Sequence, residues 1–180
     1  IGHVVGAGGR FDLSLAEEFG RKAAEMAIRL LPAEDAPAGE FPIVIAAGYG
    51  GIFFHEAIGH SLEGDGNRKK TSCFWDKLGK PIAAPVVTVV DDGTHKGGWG
   101  AVNIDDEGCV GKNTVLIDKG ICAGYLQDRL NAKLMKMGQT GNGRRQSYQF
   151  PPIPRMTNTY MHAGESNPGD IIKSVDNGLY

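Results

Sequence analysis

Cysteine is scarce in this chain: Cys73, Cys109 and Cys122 are an odd number with no paired spacing. That excludes a disulfide framework as the organising device and suits a reducing compartment, the cytoplasm. Long apolar runs are missing as well. No stretch approaches the roughly 20 residues a membrane-spanning helix needs, and no signal peptide is visible at Ile1. Net charge is nearly absent, since 19 Lys+Arg against 21 Asp+Glu leaves a formal −2. A domain that grips nucleic acid directly carries a marked basic excess, so this composition argues against that class. Residues 138–146 are glycine-rich but lack the Lys-Ser/Thr ending of a phosphate loop, and they do not sit between a strand and a helix. They remain open as a flexible substrate loop. Asp105-Asp106-Glu107 lacks the alternating oxygen ligands of a calcium hand and reads as a charged loop.

What is present is ordinary in bulk. Hydrophobic content of 41% and charged content of 22% describe a soluble globular chain, and 180 residues suit a single domain. Glycine is the outlier at 27 residues, dispersed among turns, which predicts many tight connections between short strands. Residues 1–11 read as an extended opening. Ser14 with Glu17 three residues on predicts a capped helix start, and Leu15, Phe19, Ala23, Met26 and Leu30 form one apolar stripe to bury, ended by Pro32. Residues 41–47 read as a buried strand, followed by a tight turn at Gly48-Tyr49-Gly50-Gly51. Residues 86–90 predict a strand and Asp91-Asp92-Gly93 its turn. Residues 114–118 and 121–126 predict a hairpin about Lys119-Gly120. A helix is expected over residues 127–137 with Leu130, Leu134 and Met137 on one face. Residues 151–154 form an extended spacer and residues 156–161 a strand. Asn167, Pro168 and Asp170 start a last short helix, closed by Gly178. Strands and helices mix without regular alternation, so the expected class is α+β with mainly antiparallel short strands.

The chemistry concentrates in Phe54-His55-Glu56-Ala57-Ile58-Gly59-His60. Two neutral imidazoles are good zinc ligands, and a carboxylate beside one of them can accept a proton from an activated water. The usual spacing for this device places histidines at i and i+4 on one helix face. Here the second histidine comes one residue later. On a regular helix five steps leave the side chains about 140° apart. A π-type turn absorbs the extra residue, so a bulge is expected across residues 57–59, with Gly59 easing the distortion. His55 and His60 are the candidate metal ligands and Glu56 the candidate general base. Glu63 is either a further local ligand or a supporting or capping residue. Arg68-Lys69-Lys70 is either a solvated run or a contact for a peptide carboxylate.

Residues 54–65, from Phe54-His55-Glu56 through Glu63-Gly64-Asp65, resemble the metal-binding segment of the TldD/PmbA peptidases, also labelled modulators of DNA gyrase. The resemblance continues through Val89-Val90-Asp91-Asp92-Gly93-Thr94, Asp105-Asp106-Glu107-Gly108 and Gly124-Tyr125-Leu126-Gln127-Asp128. It extends through Thr140-Gly141-Asn142-Gly143-Arg144-Arg145 and Arg155-Met156-Thr157-Asn158-Thr159-Tyr160. It covers roughly residues 40 to 180 in the family's order. PmbA-type members lack the histidine motif, so the chain sides with the TldD type.

The resemblance implies a zinc-dependent peptidase with His55 and His60 as ligands and Glu56 as general base. It also implies peptide or unfolded-protein substrates, and a PmbA/TldE-like partner subunit or a homo-oligomer. The family's third ligand is a cysteine in a Gly-rich segment beyond the Thr-Asn-Thr-Tyr strand. Cys73, Cys109 and Cys122 do not sit in that cysteine motif. Residues 1–180 are therefore expected to be one partial domain, a central fragment without the family's N-terminal domain and cysteine-bearing segment. The fragment alone is expected to bind zinc weakly and to be inactive. The alternative is a non-catalytic binding or assembly subunit with structural histidines.

Overall fold

A computed structural model describes residues 16–48 and 50–180. The Ser14 cap, the extended opening and Tyr49 of the predicted turn lie outside those residues.

The architecture is α+β. β1 (Val89–Asp92), β2 (Asn113–Asp118) and β3 (Ile121–Cys122) form an antiparallel sheet. β4 (Gly143–Arg144) and β5 (Ile153–Pro154) make a separate antiparallel pair. β6 (Thr159–Met161) returns to the first sheet and completes the order β3-β2-β1-β6. The β2–β3 hairpin turns on Lys119 (φ 46°) and Gly120 (φ 84°). Two successive positive φ values are the signature of a type I′ turn, whose twist matches the flanking strands.

One apolar core sits against this sheet. Leu62, Val89, Leu116, Ile117, Cys122, Tyr125, Leu126 and Met156 are buried together, with Phe54, Ile58 and Phe74 packed against them. Each fully buried Leu stabilises the fold by roughly 1.5–3 kcal/mol, so Leu62 pins the chain just past the histidine motif. The helices are α1 (Ala16–Leu30), α2 (Gly50–Phe54), α3 (Gly64–Arg68), α4 (Arg129–Met135) and α5 (Pro168–Lys173), of which α1 and α5 bury none of their residues. Helix α5 starts as expected: the Asn167 side chain accepts from the Gly169 amide, and Pro168 occupies the first turn.

Four expectations are corrected. Residues 41–47 form no strand; Ile43 makes a lone parallel bridge to Leu179, and Ile43 and Ile45 are exposed. Apolar character supplied the tendency to be buried, but among the described residues there is no sheet for these to join. Helix α1 buries none of its residues, for Met26 and Leu30 meet no partner among the described residues. In α4 the expected apolar face is turned round. Leu130 and Leu134 are exposed while Asn131 and Ala132 are buried, because the N-cap Asp128 accepts from the Asn131 amide and Asn131 accepts in turn from Arg68 Nε. Asp91 and Asp92 are buried strand residues of β1 rather than a turn.

Asp91 explains the last correction. Its carboxylate accepts from the Thr157 amide at 2.9 Å and from the Thr157 and Thr159 hydroxyls at 2.7 Å. The Asn142 amide donates to it as well, at 2.7 Å. A buried carboxylate is tolerable when donors surround it, and this one joins three segments distant in sequence.

Candidate metal centre

The helix entering at Gly50 widens at His55. Residues His55–Gly59 form a π-turn, and the His60 amide donates to the His55 carbonyl five residues back. A 3-10 turn, His60–Leu62, then tightens the chain again. The expected distortion is therefore present, and it spans the whole interval between the histidines. The His55 and His60 ring centroids lie 4.7 Å apart with planes at 85°. One ligand atom from each of His55, Glu56 and His60 falls within 4.8 Å of the others. The motif helix turns Phe54 and Ile58 toward the core and leaves His55 and Glu56 exposed.

Gly59 occupies the predicted place for a different reason. Its backbone is ordinary right-handed helix (φ −58°, ψ −58°), open to any residue. What excludes a side chain is Met156, whose Sδ would overlap a β-carbon built on Gly59.

The exit from the motif is fixed just as firmly. The Leu126 amide donates to the Leu62 carbonyl, and the Gly64 amide donates to the Leu126 carbonyl. Asn67 Nδ2 donates to the carbonyls of Ser61 and Glu63. This scaffold sets Glu63, which is 7% exposed, directly beneath His60. Glu63 Oε1 lies 3.0 Å from His60 Nδ1. Arg155 Nη1 donates to both Glu63 oxygens, at 3.0 and 2.8 Å. The other imidazole nitrogen, Nε2, lies 3.9 Å from Glu56 Oε2, beyond hydrogen-bond range.

The donor set suits zinc. Two imidazoles and a carboxylate are all zinc-binding types, and their ligand atoms converge on one solvent-open face. Glu63 does not join that group. Neither do the cysteines. Cys122 is buried in the core, which pushes its thiol pKa up, and Cys73 and Cys109 stand elsewhere as free thiols.

Other flagged residues are committed locally. Arg68 donates to Asn131, Lys69 pairs with Asp65, and Lys70 lies 4.7 Å over the Trp75 ring. The supposed flexible loop at residues 138–146 is tied down. Gly143 N–H donates to Asp105 Oδ2, and Arg144 donates to the Met156 carbonyl. A groove of about 550 Å³ lined by Pro37, Phe41, Pro42, Ile43 and Leu179 contains none of the motif residues. Arg155 enters the sequence reading only as part of a resembling stretch, and its pairing with Glu63 is missed there. A lone arginine 92 positions from its glutamate leaves no local signal.

Residues 38–180 match the family described as "PmbA/TldA metallopeptidase C-terminal domain". The chain is 50% identical over 164 residues to a protein named "Metalloprotease TldD homolog" from Buchnera aphidicola, covering 91% of this chain and 34% of the relative. It is 48% identical to the protein of the same name from Haemophilus influenzae, covering 97% of this chain and 38% of that one. It thus spans little more than a third of the length of these relatives. Among solved structures, a putative modulator of a DNA gyrase from Thermotoga maritima superposes with a TM-score of 0.76 at 25% identity, over 91% of this chain and 37% of that one. TldE from Thermococcus kodakarensis gives 0.63 at 28% identity, over 72% and 29%. With the histidine motif at its site and TldD homologues at about half identity, the chain belongs to the PmbA/TldD metallopeptidase family.

Proposed function

We propose that this chain carries the zinc-binding motif of a peptidase acting on peptides or unfolded segments. The observation that supports it is the π-turn, which brings the ligand atoms of His55, Glu56 and His60 within 4.8 Å of one another on an open face. His55 and His60 would hold the metal, and a zinc ion there would acidify a water and polarise the scissile carbonyl.

The chain's own residues do the rest. Glu56, next to one ligand and exposed to substrate, takes the proton from the attacking water and returns it to the leaving amine. Glu63 and Arg155 lie behind His60, away from the open face. Structural histidines, the other reading, would be expected to have their nitrogens satisfied internally. Here Glu56 makes no hydrogen bond to His60 Nε2, and its side chain is 66% exposed.

An open face of this kind suits closure by a second subunit, PmbA/TldE-like or a further copy. Enclosure between subunits would admit extended peptides and exclude folded proteins by size. Three free cysteines fit a cytoplasmic setting, and no described helix is long and apolar enough to cross a membrane.

The test is Glu56→Gln at the matching position of a full-length relative. Zinc content should be retained while peptide turnover falls about 10²–10⁴-fold, the usual contribution of a general base. Turnover at the parent rate would remove Glu56 from the mechanism, and absence of zinc from the parent would remove the metal.

A further inference from the structure

We propose that Glu63, clamped by Arg155, is the positioning residue that presents His60 to the metal by fixing its tautomer. The inference rests on the metal reading above and adds to it two residues outside the histidine motif.

An ionised carboxylate only accepts hydrogen bonds. At 3.0 Å from Glu63 Oε1, the Nδ1 of His60 must therefore carry the ring proton. The neutral ring then has a bare Nε2, and that nitrogen is the one facing Glu56 and the open side of the site. Glu63 thus takes the unwanted proton position and leaves the ligand position free. Carboxylates placed behind metal-binding histidines act in this way, setting both ring orientation and basicity.

Arg155 makes the arrangement rigid. Glu63 is almost fully buried, and a buried carboxylate needs a matched charge. Arg155 supplies it by donating to both oxygens, which also fixes the rotation of the carboxylate. The arginine is itself anchored. Its amide donates to the Asn142 carbonyl, its carbonyl accepts from Asn142 Nδ2, and that same amide group donates to Asp91. A continuous hydrogen-bonded path runs from His60 through Glu63, Arg155 and Asn142 to the central strand. The sheet thereby holds the imidazole from behind, and the edge-on His55 ring meets it on the open face.

The first test needs no variant. In a long-range ¹H–¹⁵N spectrum of the metal-free 180-residue chain, taken above the ordinary imidazole pKa of about 6.5, His60 should show a protonated Nδ1 and a bare Nε2. The resonance is assigned by its loss in His60→Gln. An Nε2–H form or an even mixture would overturn the proposal. The second test measures zinc affinity by chelator competition in a full-length relative carrying the same Glu–Arg pair. Glu63→Ala and Arg155→Ala should weaken zinc about 10–100-fold, and Glu63→Gln, which keeps an acceptor oxygen, should recover part of that loss. Unchanged affinity in folded Glu63→Ala overturns the positioning role alone. A parent relative that binds no zinc overturns the metal reading and leaves the tautomer result standing.

Discussion

Gly59 faces the sulfur of Met156 with no room between them for a β-carbon. Met156 is 3% exposed and belongs to the core, so the thioether has little space into which to swing. Gly59→Ala should destabilise the chain by about 1–3 kcal/mol, the usual range for overpacking. Urea unfolding would show a lower midpoint with an unchanged slope. Adding Met156→Ala should make the two changes less than additive, because the second relieves the clash made by the first. A Gly59→Ala midpoint equal to the parent's would mean that the contact is slack.

Asp91 gathers four donors in the interior: the Thr157 amide, two threonine hydroxyls and the Asn142 amide group. Each buried donor left without a partner costs about 1–3 kcal/mol. Asp91→Ala should therefore cost several times what Thr159→Val costs, and Thr159→Val about 1 kcal/mol. Thermal unfolding followed by circular dichroism would rank them. Equal melting temperatures for parent and Asp91→Ala would show that water replaces the carboxylate.

Asp92 predicts an acid limb. Burial pushes its carboxyl pKa upward, but hydrogen bonds from the Thr94 hydroxyl and amide, Tyr160 and Asn113 outweigh that and hold it below the ordinary carboxylate value. A group depressed in the folded state stabilises the fold above its unfolded pKa of about 3.9 and loses that contribution as pH falls through the folded value. Asp92→Asn should be less stable than the parent at neutral pH, and the difference should shrink below pH of about 4. Urea midpoints measured across that range would decide. A difference that stays constant with pH would be evidence against the linkage.

Metal stoichiometry gives a fourth prediction. If Glu56 serves as the base, His55 and His60 are the two ligands left in the described cluster, and two protein ligands alone would make an incomplete zinc site. The 180-residue chain alone should lose its zinc on dialysis and cleave no peptide. One tightly retained zinc per chain, or measurable hydrolysis, would show that Glu56 or some other group completes the set.

What could be read from sequence was what neighbouring residues settle among themselves. The Asn167 cap, the Lys119-Gly120 turn and the widened helix at His55–Gly59 all depend on a few consecutive positions. Burial was less legible, since it depends on what a segment meets. Ile43 and Ile45 are apolar enough for a core strand, and Met26 and Leu30 sit at helical spacing. All four remain exposed, with no partner surface among the described residues. The reverse error befell Asp91 and Asp92. Polarity suggests a turn, yet Thr157 and Thr159 reach across 66 and 68 positions to satisfy Asp91 inside the fold. A still longer separation, 92 positions, hid Arg155 behind Glu63. Gly59 was placed correctly on an argument about backbone freedom, when the operative contact comes from a methionine far along the chain.

The bond from the His60 amide to the His55 carbonyl also constrains how such a motif can vary in length. Removing one residue between the histidines would trade the wide turn for a normal one and keep both rings on the same side. Adding one would leave no helical turn able to realign them. Natural variation here should therefore be lopsided: contraction is survivable, whereas expansion parts the two rings.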